Sequence, residues 1–192
     1  GEAAYTLGTI YFEQESYVQT KKWMQVCLEA DECDVEAMMV MAQVSGREGN
    51  REAELTWYER IVSSPGAAGK ALASAYCNLG VLHEGQDREI DFYKKSLELE
   101  PDAFEARFSL ASAFASKQQW NEAAREFRAA VDSGKGRNEE VMQALQTLYR
   151  VAMQKIQAEN PRGFSSQEAM LHKFHEVMGK ANYEKLAAAM KK

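Results

Sequence analysis

The densest group of residues that could bind a metal lies near the C-terminus, at His172, His175, Glu168 and Glu176. Spacings of three and four residues would place several of these side chains on one face of a helix. A closed site needs about four ligands, however, and no cysteine or further histidine lies nearby in the sequence. Because histidine and glutamate on a polar helix face are usually solvated, we predict no metal site here.

Motifs for catalysis are missing from the sequence as well. The three cysteines, Cys27, Cys33 and Cys77, form neither a disulfide framework nor a set of zinc ligands, and no basic neighbour activates a thiol. There is no glycine-rich phosphate loop and no Ser/His/Asp motif. We therefore predict that the protein is not an enzyme and needs no cofactor. An odd, unpaired cysteine count favours a cytoplasmic or other reducing compartment.

Charge and composition narrow the class of partner. The chain has 192 residues and a net charge of −6, and residues 1–66 hold 5 Lys and Arg against 12 Asp and Glu. Residues 137–192 hold 9 against 6, which is too dilute a basic region to bind phosphates, so we predict no nucleic-acid partner. No apolar run is long enough to span a membrane. Only 3 Pro and 12 Gly favour helix throughout.

Two series of residues recur with a period near 34, the length of a helix–turn–helix repeat. Bulky residues recur at intervals of 34, 35 and 34, at Met24, Tyr58, Tyr93 and Phe127. A large residue followed by a small one recurs at intervals of 34, 38 and 31, at Leu7-Gly8, Met41-Ala42, Leu79-Gly80 and Leu110-Ala111. Two series with one period indicate an array of repeated units.

The residue types explain how such units would pack. A pair of antiparallel helices cannot bury its apolar stripe alone, so neighbouring pairs must stack. The small residue of each pair would let the second helix approach, and the large residue before it would fill the layer between hairpins. Helix breaks are predicted at Pro65-Gly66, Pro101-Asp102, Gly49-Asn50 and Gly134-Lys135-Gly136.

In these residues the chain resembles the tetratricopeptide repeat (TPR) family. The fourth unit matches the family most fully, at Leu110, Ala111, Phe114, Trp120, Ala123, Phe127 and Ala130. The first unit departs at Thr20, where the family prefers Ala. The resemblance covers roughly residues 3–134. It implies an all-α fold, a right-handed α-α superhelix (TPR solenoid) of helix–turn–helix repeats with C-terminal capping helices.

The predicted units are residues 1–34, a degenerate repeat 35–69, a shortened repeat 70–101, a repeat 102–136, and a divergent hairpin with a capping helix at 137–192. The shortened repeat should have a tight turn or short helices. In the last region Asn138 is expected to cap a helix, Ser165 with Glu168 to open the next in a capping box, and 183–192 to form a final helix.

Family members line a concave groove with their first helices. Carried over residue by residue, the resemblance implies a partner-binding groove at Glu2, Tyr5, Thr9, Phe12, Glu13, Glu36, Met39, Gln43, Ser74, Cys77, Asn78, Val81, Glu105, Phe108 and Ser112. This mixture of apolar and acidic side chains suits an extended or helical protein segment with apolar and basic residues. The acidic tail of Hsp90 or Hsp70 is disfavoured, because only Asn78 fits the clamp that binds such tails.

The leading hypothesis is therefore a non-enzymatic scaffold for protein–protein interaction. Because the chain opens in helical register without a capping repeat, it is expected to be a fragment of a larger subunit of a multiprotein complex. Three alternatives stay open. The groove side chains could face solvent or be covered by the C-terminal helix; the chain could stack edge to edge and self-associate; or it could be the targeting array of an enzyme whose catalytic domain is absent.

Overall fold

The computed structural model describes residues 1–133 and 136–190, and within these ranges the chain forms eleven α-helices and no strand. The predicted all-α fold is confirmed. The helices are α1 (Glu2–Glu13), α2 (Tyr17–Ala30), α3 (Val35–Arg47), α4 (Arg51–Ser63), α5 (Gly69–Leu82), α6 (Arg88–Leu99), α7 (Phe104–Ser116), α8 (Trp120–Asp132), α9 (Asn138–Glu159), α10 (Gln167–Met178) and α11 (Lys180–Ala189). Part of the predicted break at 134–136 and the end of the predicted last helix at 191–192 lie outside the described residues.

The chain divides into two compact units. The first comprises Gly1–Glu84 and Glu98–Glu100, and the second comprises Gly85–Leu97 and Pro101–Lys192. The repeat boundaries proposed from the sequence stay predictions.

In the first unit, each helix packs on the next. The hairpin α1–α2 packs through α2 on α3, and the hairpin α3–α4 packs through α4 on α5. The first helices also meet, because α3 contacts both α1 and α5. The core between these layers contains the fully buried side chains of Met24, Met38, Ile61 and Leu79.

Close approach within the first hairpin depends on Gly8. A Cβ atom added at this position would lie 2.2 Å from the Cε of Met24 and 3.2 Å from the Cβ of Trp23. The small residue of the repeated pair therefore lets α2 approach α1. The large residue before it is predicted to fill the layer between hairpins. Leu79 does so and is fully buried, whereas Leu7 is 38% exposed. The contacts of α1 with α2 and α3 leave Leu7 partly exposed.

Three of the hairpin turns share one backbone feature, a positive φ at the middle residue. The middle residue of the turns at 14–16, 48–50 and 117–119 has a positive φ, at Glu15 (56°), Gly49 (73°) and Gln118 (58°). The turn between α5 and α6 is different, because it spans 83–87 and places Gly85 at φ 81°. The sequence predicts either a tight turn or short helices for the shortened repeat. The turn is not tight, and α6 has 12 residues.

In the second unit, α8 packs on α7, and α9 packs on α8. Both α10 and α11 pack on α9, and their core includes the fully buried Leu145, Leu148 and Met178. The salt bridge between Arg107 and Glu126, with 2.8 Å between Nη1 and Oε2, joins α7 to α8.

The C-terminal helices begin one to three residues away from the predicted positions. Asn138 is the first residue of α9 rather than its cap, because the Glu140 carboxylate accepts a hydrogen bond from the backbone N–H of Arg137. Ser166, not Ser165, caps α10, since its hydroxyl accepts from the N–H of Ala169. Gly179, at φ 82°, ends α10, and α11 starts directly after it instead of at residue 183.

Candidate partner-binding surface

The predicted groove residues lie on the first helices of the hairpins and none of them is fully buried. Twelve belong to the first unit, on α1, α3 and α5, and three belong to the second unit, on α7. The exposed ones are Glu2, Glu13, Glu36, Gln43, Val81 and Glu105, and the half-buried ones are Tyr5, Thr9, Phe12, Met39, Ser74, Cys77, Asn78, Phe108 and Ser112. We call the surface of the first unit the α1/α3/α5 face.

Electrostatic coupling connects α1 to α3 on this face. Burial raises the pKa of the Tyr5 hydroxyl, and the carboxylates of Glu36 and Asp34 on the neighbouring hairpin raise it further. The two helices therefore bring an aromatic ring and carboxylates to the same face, which is a combination that accepts apolar and basic groups.

Two small polar side chains of the face donate hydrogen bonds to their own helix. The amide of Asn78 donates to the Ser74 carbonyl at 2.9 Å, and the Thr9 hydroxyl donates to the Thr6 carbonyl at 2.9 Å. Val81, on the same helix as Asn78, leaves 48% of its surface exposed. The exposed groups of this face include its carboxylates, the Gln43 amide and the apolar side chain of Val81.

An open cleft of about 500 Å³ lies where α1, α3 and α4 meet. Two predicted groove residues contribute to it, Phe12 and Gln43, and they are joined by residues that the sequence did not indicate. We call it the Glu54 cleft, lined by Phe12, Gln43, Gly46, Arg47, Glu54 and Tyr58. Glu54 and Tyr58 come from α4, a second helix, which the family-based groove omits.

Glu54 has an unusual environment in this cleft. The side chain is half-buried, and burial raises the pKa of its carboxyl, while the positive charge of Arg51 lowers it to a smaller extent. A Cβ atom added at Gly46 would lie 2.9 Å from the Glu54 Oε1, so the glycine makes room for the carboxylate. A pattern in the sequence could have drawn attention to it, since Glu54 stands four residues before Tyr58, where the first and fourth hairpins carry Thr20 and Ala123.

The α7 residues of the second unit form a separate group. Phe108 stacks on Phe104 with ring centroids 6.1 Å apart, and it meets the edge of Phe127 at 5.3 Å. Ser112 donates from its hydroxyl to the Phe108 carbonyl at 3.0 Å. Phe108 therefore stabilises its own hairpin as well as presenting part of its ring, and Glu105 is the exposed charge beside it.

Two of the residues that were considered as metal ligands, His175 and Glu176, contact other side chains. His175 lies edge-on to Tyr183 at 5.2 Å, and Glu176 accepts from Lys173 at 2.9 Å. Within residues 1–133 and 136–190, no three His, Cys, Asp or Glu side chains come together in a way that could hold a metal ion. None of the helices in the same ranges is long and apolar enough to cross a membrane.

A cleft of about 350 Å³ in the second unit, between α8, α9 and α10, carries several basic side chains. Arg128 donates to the Glu176 carbonyl at 3.3 Å, Arg125 pairs with Glu126 at 3.0 Å, and Lys155 pairs with Glu159 at 3.6 Å. Each cation thus has a partner within the unit. Of these interactions, the hydrogen bond from Arg128 joins α8 to α10, and the other two lie within single helices.

No protein-family model matches the sequence, and no curated protein matches it. Solved structures do match. MamA is 15% identical over 97% of this chain and 93% of its own, with a TM-score of 0.67, and a second MamA structure gives 0.69 at 14% identity, covering 97% of this chain and 98% of its own. YrrB, described as a TPR protein with an unusual peptide-binding site, is 15% identical over 98% of this chain and 91% of its own, with a TM-score of 0.64. At such low identity the likeness shows the fold alone: the chain is an all-α helical-repeat protein with a TPR-like fold.

Proposed function

We propose that the protein is a non-enzymatic scaffold that binds a segment of a partner protein on the α1/α3/α5 face. The observation that supports this most is the arrangement of the first helices, since α3 contacts both α1 and α5. Their half-buried apolar side chains, Tyr5, Phe12 and Met39, therefore belong to one face of one unit. A structure with the same fold, YrrB, is described as having a peptide-binding site.

The charges of this face favour a basic partner. Glu2, Glu13 and Glu36 are exposed around the apolar side chains, and residues 1–66 carry 12 acidic against 5 basic residues. Complementary charge on the partner would speed association and select against acidic segments. We therefore propose an extended or helical segment with apolar and basic residues, and not an acidic chaperone tail or a nucleic acid.

A scaffold of this kind requires no cofactor, and we propose that it acts in a reducing compartment as part of a larger complex. The three cysteines are free thiols in the structure, and Cys27 is buried. Burial raises the pKa of the Cys27 thiol, with Asp34 adding to the effect, which keeps this sulfur in its unreactive form.

A selection from displayed random short peptides tests the proposal. The wild-type protein should enrich peptides with spaced apolar and basic residues. A variant with Tyr5→Ala, Phe12→Ala and Met39→Ala should lose this enrichment while its circular dichroism stays helical. The matched control is Val18→Ala, an exposed apolar residue on α2 that is outside the proposed face. Equal enrichment by the triple variant would contradict the proposal.

A second candidate function is association between copies, and exposed apolar residues on α1 and α2 favour it. Val18 is 76% exposed and Ile10 is 44% exposed, and Leu7 and Val26 on the same two helices are exposed as well. The acidic N-terminal third and the basic C-terminal third of the sequence would give a head-to-tail contact complementary charge.

A further inference from the structure

The Glu54 cleft contains a carboxylate for which the structure of the first unit provides no direct partner. Within the described residues, the side chain of Glu54 makes no hydrogen bond and no ion pair. Arg51 acts on it only through its charge, because the Arg51 guanidinium donates to the Leu82 carbonyl. The carboxylate is half-buried and opens to the cleft, so solvent supplies its donors in the free protein, and a donor from a partner could take the place of that solvent.

Two buried glutamates each have at least one donor within the fold, although Oε1 of Glu89 is buried without a hydrogen bond. Glu89 stands four residues before Tyr93, as Glu54 does before Tyr58, and its Oε2 accepts from the backbone N–H of Gly85 at 3.0 Å. Glu126 pairs with Arg107 at 2.8 Å. Glu54 is different from both, because its carboxylate faces a cleft rather than a donor.

The local packing holds Glu54 in that position. Gly46 lies beneath the carboxylate, and a Cβ atom there would approach Oε1 to 2.9 Å and Oε2 to 3.1 Å. At the same place in their hairpins, Thr20 and Ala123 are fully buried small residues. The second hairpin combines a long acidic side chain on α4 with a glycine on α3, and together they leave the carboxylate at the cleft.

The walls of the cleft suit the stem of a long basic side chain. The ring of Phe12 is half-buried and lines the cleft, the buried Tyr58 closes it from below, and Gln43 offers an amide at the side of α3. The methylene groups of lysine or arginine pack well on such rings, and their charged ends are attracted to aromatic faces. Arg47 also lines the cleft and is exposed, so an incoming cation must contact the carboxylate directly to offset that positive charge.

We propose that the Glu54 cleft receives one lysine or arginine side chain of the partner, whose charged end donates to the Glu54 carboxylate while its stem lies along Phe12. This inference rests on the proposed function, because Phe12 and Gln43 belong to both the cleft and the α1/α3/α5 face. Glu54 thereby becomes the residue that selects for a basic side chain at one position of the segment.

The experiment compares peptide selections on four proteins: wild type, Glu54→Gln, Gly46→Ala and Glu59→Gln. The last is the matched control, since Glu59 is an exposed glutamate on the same helix and is not part of the cleft lining. Wild type and Glu59→Gln should enrich lysine or arginine at one fixed distance from the apolar positions. Glu54→Gln and Gly46→Ala should lose that preference and keep the apolar ones.

One selected peptide is then titrated calorimetrically, together with its analogue in which norleucine replaces the basic residue. Norleucine keeps the stem of lysine and removes the charge. On wild type the replacement should weaken binding by roughly tenfold, the range of a hydrogen bond to a charged group. On Glu54→Gln the two peptides should bind alike, because the carboxylate that distinguishes them is gone.

The outcomes separate the two proposals. If no peptide is enriched on wild type, the binding surface and the subsite are both wrong. If apolar peptides are enriched but the basic preference is missing, or persists unchanged in Glu54→Gln, the subsite is wrong and the surface stands. Thermal melts of the isosteric Glu54→Gln variant identify any loss of folding.

Discussion

At the residue scale, Glu54 should lower the stability of the free protein. Burial raises the pKa of the Glu54 carboxyl in the folded state. The protonated side chain therefore favours the folded state, fully so below the ordinary pKa of 4.5. This contribution to stability is lost as the pH rises through the folded pKa. We expect Glu54→Gln to raise the free energy of unfolding by about 0.5 kcal/mol at pH 7. The gain should vanish below pH 4.5.

Urea denaturation at several pH values measures this difference. Glu59→Gln, the exposed change on the same helix, should leave the free energy of unfolding nearly unchanged at pH 7. A destabilised Glu54→Gln at neutral pH would mean that the carboxylate has a stabilising partner in the free protein, contrary to the structure.

Tyr58 should make the free energy of unfolding depend on pH in the alkaline range. Burial, at 2% exposure, raises the pKa of its hydroxyl to about 12, and the negative charges of Glu54 and Cys77 contribute. Since the unfolded chain loses this proton near 10.0, stability should fall as the pH rises from about 10 towards 12. Tyr58→Phe should reduce this fall, as measured by urea denaturation across the alkaline range. An unchanged slope would show that Tyr58 does not titrate in this way.

At the element scale, Gly8 sets the spacing of the first hairpin. Gly8→Ala would place its Cβ 2.2 Å from the Met24 Cε, although the end of that side chain is flexible. We expect a loss of about 1–2 kcal/mol in the free energy of unfolding, since overpacking outweighs the better helix propensity of alanine. Gly66→Ala is the control, because nothing lies closer than 3.9 Å to a Cβ at that position. Equal stability of both variants would contradict the close helix contact.

The salt bridge between α7 and α8 should matter more than an exposed one between α2 and the turn after α3. Glu126 is 8% exposed, so Arg107→Met would leave a buried carboxylate with only the exposed Arg125 as a partner. We expect a loss of about 3 kcal/mol. Lys21→Met breaks the exposed pair with Glu48 and should cost under about 1 kcal/mol. Urea denaturation of both variants gives the comparison, and similar losses would refute the role of burial.

At the scale of the whole molecule, association between copies is the property to measure. If the exposed apolar residues of the first hairpin form a contact, sedimentation should show a mass that rises with concentration at low salt. Leu7→Gln combined with Val18→Gln should then keep the protein monomeric. A monomer under every condition, for wild type as well, would rule out this second candidate function and leave the binding proposal unaffected.

The sequence by itself determined the all-α repeat fold, because apolar residues at helical spacing and a period near 34 are local properties of the chain. The start of α10 at Ser166 instead of Ser165, and the exposure of Leu7, were decided by the tertiary structure. Which of two adjacent serines caps a helix depends on hydrogen-bond geometry, and which leucine is covered depends on the hairpin beside it. The Glu54 cleft likewise exists only in three dimensions, because a glycine on α3, a glutamate on α4 and a phenylalanine on α1 meet there. The spacing of residues within one helix carries no information about such a meeting, since packing between helices brings them together.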